Sequence, residues 1–348
     1  MMSTEMNIGE LFAEQMDRLL SDCVSRELLI SVENGQPADT LWHTLEELGI
    51  LLALVDEDNG GSGLNWEDVE PTLRCCGRHG APVPLPETLL ANWVLAAGGL
   101  ALPTGFVTVS TALYQLNAND KLLGHDSAVA WAPLCENIVA IAERGDKKYV
   151  CLLSQKQCQV EPQETLAREP SGAVNLVGVT PLAIAGAPKP ICELGLLPYL
   201  ASLRSVQIGG ALEELLSLCV EYANTREQFG RTIGKFQAIQ HAIAELASQT
   251  AAAQVAGQYA FRQIDADNAE HGGMIAKIRA GQAAGRGAEI AHQVFGAIGF
   301  TDEHSLHYLT RRLWQWRCDA GSEFWWSEQL GQKAIAAGGD GLWPSIAG

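Results

Sequence analysis

The stretch R-E-Q-F-G-R-T-I-G-K-F-Q (Arg226–Gln237) joins two long, alanine-rich segments of helical periodicity and decides the interpretation of this 348-residue chain. It places cationic and amide side chains beside glycines, at the end of one predicted helix and the start of the next. A second stretch of the same character, H-Q-V-F-G-A-I-G (His292–Gly299), ends a later predicted helix. Both stretches therefore present polar groups and glycines at helix ends.

These helix ends suit a dinucleotide diphosphate. Helix N-termini carry unpaired N–H groups and partial positive charge, and glycine allows close approach. The planar guanidinium of Arg226 matches phosphate oxygens. Neither stretch has the spacing of a Rossmann or P-loop motif. A plain helix C-cap also accounts for Gly296 and Gly299 beside Gln293, and this interpretation is compatible with the diphosphate one.

The two stretches resemble the C-terminal helical domain of acyl-CoA dehydrogenases, FAD-dependent enzymes that desaturate acyl-CoA thioesters. N-terminal segments agree: Leu41–Leu51 (L-W-H-T-L-E-E-L-G-I-L), Asp58–Asn65 (D-N-G-G-S-G-L-N) and Gly80–Glu87 (G-A-P-V-P-L-P-E). The resemblance implies FAD as cofactor and acyl-CoA as substrate. In the family these groups reach the ADP part of an FAD bound mainly by the neighbouring subunit. The cofactor-binding residues it implies are Arg226, Phe229, Gln237, Gln293, Gly296 and Gly299.

The pattern of periodicities predicts an α+β fold that is mainly α. An N-terminal helical domain (1–103) precedes a small β domain (104–190), and a C-terminal four-helix bundle (191–348) follows. In the β domain, Ile138–Glu143 and Lys148–Leu153 flank a turn and predict a β-hairpin. The expected C-terminal helices are Leu197–Asn224, Lys235–Ala266, His271–Phe295, Glu303–Trp316 and Ser322–Ala337.

Composition excludes several classes of partner. The net charge of −18 disfavours nucleic acid and anionic membranes, which require a basic surface. The apolar runs are too short or too interrupted by glycine to span a bilayer. The nine cysteines form no C-x-x-C pair, and the first ten residues lack a basic-then-apolar leader, so we expect a cytoplasmic protein with reduced thiols. His241 and Glu245 lie one helical turn apart without further ligands, so we expect no metal.

Two departures from the family pattern concern the flavin ring and the catalytic base. The family's T-E-P-x-x-G-S-D and W-I-T-like segments are missing from the corresponding stretch, Ser110–Gly124. His125, Asp126 and Ser127 have polar groups that can replace the missing contacts to the flavin ring, but we expect these residues to form a solvated turn. The base is usually the Glu of Y-E-G-T, and the matching residues here are D-A-G-S, with Ala320 in its place. The alternative position of the base falls near Leu200 or Ala201, again without an acid.

Other candidate groups remain open at this stage. Asp319 and Glu323 are alternative bases, and Glu213 and Glu214 are more often solvated or paired. Arg204 is interpreted either as a partner of a CoA phosphate or as a member of a helix-surface salt bridge. The aromatic residues of Trp314–Arg317 and Phe324–Trp326 suit either an acyl pocket or packing in a core or interface. No catalytic residue is assigned.

Retained ADP-side groups beside a missing flavin cradle and a missing base imply a degenerate subunit. We therefore expect a chain that works with a related, longer acyl-CoA dehydrogenase subunit carrying the catalytic Glu. One alternative is a homo-oligomeric (dimeric or tetrameric) dehydrogenase with an unorthodox base. Another is a non-catalytic interaction protein on the same fold. The family resemblance suggests an electron-transferring flavoprotein as electron acceptor.

Overall fold

The computed structural model describes residues 8–301 and 303–347. The chain divides into two compact units, one ending at Leu200 and the other beginning at Ala201. The three-part division at 103 and 190 stays a prediction. The predicted fold class is confirmed, because a mixed sheet lies between helical segments in the chain order.

The first unit opens with five helices. The apolar residues of Glu10–Ile30 recur at helical spacing and predict one helix, but this prediction is wrong. The helix breaks at Val24 and Ser25, and the Ser25 hydroxyl caps the next helix by accepting the Leu28 N–H (3.2 Å). The five helices are α1 (Ile8–Cys23), α2 (Arg26–Glu33), α3 (Asp39–Glu47), α4 (Trp66–His79) and α5 (Leu85–Ala97).

A seven-stranded mixed sheet follows in the same unit, in the order β5-β6-β2-β1-β3-β4-β7. Only β1 and β3 are parallel neighbours among these strands. The predicted hairpin is confirmed as β3 and β4, paired from Asn137↔Ser154 to Arg144↔Lys147. The strands are β1 (Val107–Leu116), β2 (Leu122–Ala130), β3 (Asn137–Arg144), β4 (Lys147–Ser154), β5 (Gln159–Gln163), β6 (Ser171–Val179) and β7 (Ala183–Gly186).

The expected turn at His125–Ser127 is instead part of β2. His125 pairs with Asn175 of β6, and their side chains are 2.7 Å apart (Nδ1 to Oδ1). Asp126 points to the opposite side and is buried. The polar residues had suggested a loop, but cross-strand partners satisfy them within the sheet.

The predicted C-terminal helices are confirmed to within a few residues at most ends. α8 and α9 are the principal antiparallel pair of the second unit, and a shared core of apolar side chains from α7 to α10 packs around them. α11 is longer than predicted and is kinked at Gly338 (φ 68°). After a short α6 (Lys189–Leu194), the helices are α7 (Leu197–Thr225), α8 (Gln237–Asp265), α9 (Ala269–Phe295), α10 (Leu306–Cys318) and α11 (Glu323–Ala347).

The small residues of α9 let its neighbours approach closely. A Cβ built on Gly287 would lie 2.5 Å from Cδ2 of Leu212 on α7 and 3.2 Å from Cδ1 of Leu246 on α8. Both leucines are fully buried. Gly287 therefore allows this three-helix contact, and any side chain there would force the helices apart.

Candidate functional site

The two stretches that decided the sequence interpretation meet at one end of the second unit, here called the hairpin end. α7 ends at Thr225, α8 begins at Gln237 and α9 ends at Phe295. The rings of Tyr222 and Phe295, near the ends of α7 and α9, stack with centroids 4.3 Å apart. The antiparallel packing of the helices thus brings Arg226–Gln237 close to His292–Gly299.

Arg226–Gln237 forms a tight hairpin. Glu227–Gln228 (β8) pairs with Arg231–Thr232 (β9) around Phe229 and Gly230, whose φ angles of 53° and 77° are both positive. Positive φ at both central residues is the geometry of a type I′ hairpin turn. The turn holds the Phe229 ring out in solvent, where its side chain is 91% exposed.

The hairpin also carries a cation that sequence reasoning missed. The Arg231 guanidinium lies over the Phe236 ring, 4.2 Å from its centroid, and Phe229 meets the same ring edge-on at 6.2 Å. Such a stack holds a cation in a fixed place at the surface. The cationic charge of Arg231 was visible in the sequence, but its stack on Phe236 depends on the hairpin register.

The C-cap interpretation of the second stretch is confirmed. Gly296 ends α9 with φ 63°, and its N–H donates to the His292 carbonyl. Gln293 and Gly296 are exposed, whereas Gly299 is buried. A Cβ on Gly299 would lie 2.9 Å from Cδ2 of Leu306, so packing alone requires a glycine at that position.

A group of three histidines lies beneath this turn: His292, His304 and His307, here called the histidine group. The His292 ring lies nearly parallel to the rings of Phe300 (centroids 4.2 Å apart) and Trp314 (5.6 Å). Burial, and secondarily His307, lowers the pKa of His292 and of His304. Both shifts favour the neutral imidazole of His292 and of His304.

The exposed groups of the hairpin end fit a diphosphate. Arg226, Gln237 and Gln293 are exposed and supply a planar cation and two amides, while the exposed Gly296 has no side chain to block a close approach. Guanidinium and amide N–H groups are donors that phosphate oxygens accept. These groups therefore lie on the surface of the second unit.

The position that matches the family's base lies at the other end of the second unit, in the turn Asp319–Ser322 between α10 and α11, here called the base turn. Ala320 occupies the left-handed region (φ 53°), and its carbonyl accepts the indole N–H of Trp326 (2.8 Å). Lys277 of α9 is fully buried and donates from Nζ to the carbonyls of Arg317 (2.8 Å) and Gly321 (2.7 Å). Burial lowers the pKa of Lys277 to about 8, against the opposing effect of Asp319 and Glu323.

Both carboxylates beside Ala320 are bound to arginines. Asp319 accepts from Gln315 Nε2 (2.7 Å) and lies 3.4 Å from Nε of the buried Arg204. Glu323 is paired with Arg317. Burial acts to raise the pKa of Glu323, but the Arg317 hydrogen bonds and charge bring it below the usual value. A carboxylate held in this way is a weak proton acceptor.

These contacts also decide between earlier alternatives. Arg204 is 2% exposed, so it forms a buried ion pair and not a helix-surface salt bridge. Of the aromatic cluster, Trp316 and Trp326 are core residues, whereas Phe324 is 79% exposed. The inner half of the cluster therefore packs in the second unit.

In the first unit, Asp126 binds the start of Ser110–Gly124, the stretch that corresponds to the family's flavin-ring segments. Its Oδ2 accepts from the Ser110 hydroxyl (2.6 Å) and from the N–H groups of Thr111 (3.1 Å) and Ala112 (3.2 Å). Ser110 also contacts the Tyr114 hydroxyl (2.8 Å). The donors at this bulge of β1 are thus used within the chain. Sequence reasoning named Asp126 but missed this network.

Residues 8–301 and 303–347 hold no helix long and apolar enough to cross a membrane. They also hold no group of three or more His, Cys, Asp or Glu side chains arranged to bind a metal ion.

Comparison with known proteins identifies similar sequences and folds. Residues 201–322 match the family model for the acyl-CoA dehydrogenase C-terminal domain. The chain is 29% identical to acyl-CoA dehydrogenase IpdE2 of Mycobacterium tuberculosis, over 79% of this chain and 80% of the relative. The ChsE4-ChsE5 complex of Mycobacterium tuberculosis contains a chain of similar fold (TM-score 0.84, 22% identity, 96% of this chain and 99% of that chain). The Tcur3481-Tcur3483 steroid ACAD contains another (TM-score 0.85, 23% identity, 95% and 98%).

Proposed function

The chain belongs to the acyl-CoA dehydrogenase family, and within it we propose a subunit that contributes the ADP side of an FAD site to a related, longer partner subunit. The partner would carry the flavin-ring cradle and the catalytic carboxylate. The assembled enzyme would form an α,β-double bond in an acyl-CoA thioester. The proposal accounts for an exposed diphosphate surface on a chain without a base.

The base turn is the observation that carries this proposal. A base must lie within hydrogen-bond reach of the thioester's acidic Cα proton. Ala320 has no group to accept it, while Asp319 and Glu323 are bound to arginines. Lys277 holds the turn through two backbone carbonyls. The base turn is thus held in a defined conformation by hydrogen bonds, but it offers no free carboxylate to accept the proton.

The cofactor side supports the same division of labour. Arg226, Gln237, Gln293 and Gly296 would hold the diphosphate from the surface of this chain. FAD held there would supply the hydride acceptor that desaturation of a thioester requires. Asp126 accepts the N–H groups of Thr111 and Ala112, so these two donors at the β1 bulge are not available to a flavin ring.

Similar proteins support a bulky substrate class. Two structures of similar fold are each formed by a pair of proteins: the ChsE4-ChsE5 complex and the Tcur3481-Tcur3483 steroid acyl-CoA dehydrogenase. By analogy, the assembled enzyme would act on a steroid-derived or comparably bulky acyl-CoA. The proposed substrate class rests on analogy between folds alone.

The two alternatives are less well supported. A homo-oligomeric enzyme requires Asp319 or Glu323 as base, and both are engaged with arginines. A purely structural chain has no need of the exposed Arg226, Gln237 and Gln293 around an exposed glycine cap.

Co-purification with a longer relative from the same organism tests the proposal. We expect the chain alone to be colourless and inactive, and the mixed complex to hold flavin and to desaturate an acyl-CoA with an artificial electron acceptor. A full flavin band and turnover for the chain alone would favour the homo-oligomeric enzyme. A complex lacking flavin and activity would favour the interaction protein.

A further inference from the structure

The histidine group occupies an unusual place, directly under the glycine turn proposed to face the diphosphate. His304 follows that turn, and its ring packs on Phe295 (centroids 4.6 Å apart). The His304 Nδ1 accepts the Leu306 N–H (3.1 Å), and His307 Nδ1 lies 2.8 Å from the His304 carbonyl. Packing of a helix end does not require three imidazole rings.

His292 is the member whose contacts are incomplete. Its Nε2 lies 3.0 Å from the Thr310 hydroxyl, and Thr310 is fully buried. Its Nδ1 is buried and has no hydrogen-bond partner among the described residues. A Cβ built on Gly299 would lie 3.4 Å from this Nδ1, so the nitrogen faces the turn. An unpaired buried nitrogen costs free energy and calls for an explanation.

The electrostatic surroundings make this nitrogen responsive to an anion. Among the described residues, His307 from α10 acts on both His292 and His304, and Glu221 from α7 acts on His304. His307 disfavours a proton on His292 and His304, while Glu221 favours one on His304. A diphosphate above the turn would favour the protonated imidazole, whose two nitrogens both donate.

We propose that His292 is a positioning residue for the Gly296–Gly299 turn. Binding of a diphosphate over this turn is coupled to the uptake of one proton at His292. The proposal rests on the proposed function, which places the FAD diphosphate at this turn. The ligand class is a fully ionised diphosphate diester. Because linkage is reciprocal, diphosphate binding must then strengthen as the pH falls.

FAD binding to the mixed complex, freed of flavin beforehand, tests the coupling between pH 8 and pH 6. The diphosphate of FAD stays ionised over this range, so the probe itself adds no titration. One fully coupled proton strengthens binding by up to about tenfold per pH unit. From pH 8 to pH 6, the FAD affinity of the wild type should increase by a factor at least about ten times larger than the factor measured for His292→Asn. The exposed His241→Asn on α8 is the matched control and should behave as the wild type.

Calorimetry in buffers of different ionisation enthalpy provides a second readout that needs no variant. The wild-type complex should take up protons on binding FAD at pH 7, and absence of uptake would overturn the inference. Equal pH dependence in wild type and His292→Asn would overturn it too. The proposed function fails separately, if Arg226→Ala leaves FAD affinity unchanged at every pH.

Discussion

Nζ of Lys277 lies 2.7 Å from the carbonyl oxygen of Gly321, across 44 residues of chain. The same ammonium binds the carbonyl of Arg317, so one buried amine spans the base turn at both sides of Ala320. The turn keeps a defined shape although the residue in the base position has no acid. A turn of defined shape without an acid is what the proposed role predicts, since the partner subunit would supply the base.

Lys277→Met should change how stability depends on pH. The folded-state pKa of Lys277 is about 8, below its ordinary value of 10.5, so the unfolded chain binds more protons between these pH values. Stability from this group therefore rises with pH from about 8 to 10.5. We expect the wild type to gain on the order of 2–3 kcal/mol over Lys277→Met across that window. Urea unfolding of the purified chain at several pH values measures it.

Lys333→Met is the control for this experiment, because Lys333 is exposed and paired with Glu270 on the surface. It should follow the wild-type pH dependence throughout. A parallel pH dependence of Lys277→Met and wild type would show that Lys277 is not buried as an amine of lowered pKa.

Glu323→Gln should leave turnover of the mixed complex within about twofold of wild type. Glu323 is paired with Arg317 and its pKa is below the usual value, so it is not available as a base. Loss of the pair should lower the free energy of unfolding by up to about 1 kcal/mol. Steady-state kinetics of the mixed complex measures turnover, with Glu328→Gln at an exposed position as the control. A loss of 100-fold or more, typical of removing a general base, would favour the homo-oligomeric alternative.

Asp126→Asn should destabilise the first unit by about 1–3 kcal/mol. The carboxylate accepts three hydrogen bonds at the β1 bulge, and an amide cannot replace a charged acceptor for all of them. Asp146→Asn, in the exposed turn between β3 and β4, is the control and should be near neutral. The urea unfolding midpoint distinguishes them, and equal midpoints would mean that the Asp126 network contributes nothing.

The helices of the second unit were predictable because their signals are local. Apolar periodicity gave α7 to α11 within a few residues at most ends, and the hairpin between β3 and β4 followed from two apolar runs around Arg144–Lys147. The break at Ser25 was missed, because the apolar periodicity continues across it and the Ser25 hydroxyl that caps the start of α2 is only one residue of that pattern.

The contacts that define the two ends of the second unit were not predictable. Lys277 meets residues 40 and 44 positions away, and His292 meets Thr310 across 18. No local pattern distinguishes a lysine buried on an alanine-rich helix from a solvated one. Asp126 was misjudged for the same reason, because its partners lie on the neighbouring strand.

Removing the Arg226 guanidinium tests the central claim most directly. In the mixed complex, Arg226→Ala should weaken FAD affinity by about 10- to 100-fold, as expected for one charge-assisted contact to a diphosphate. Arg262→Ala, near the far end of α8, is the matched control and should retain full flavin. Flavin absorbance per complex after dialysis gives the answer. Full flavin retention in Arg226→Ala would contradict the assignment of the hairpin end to the cofactor.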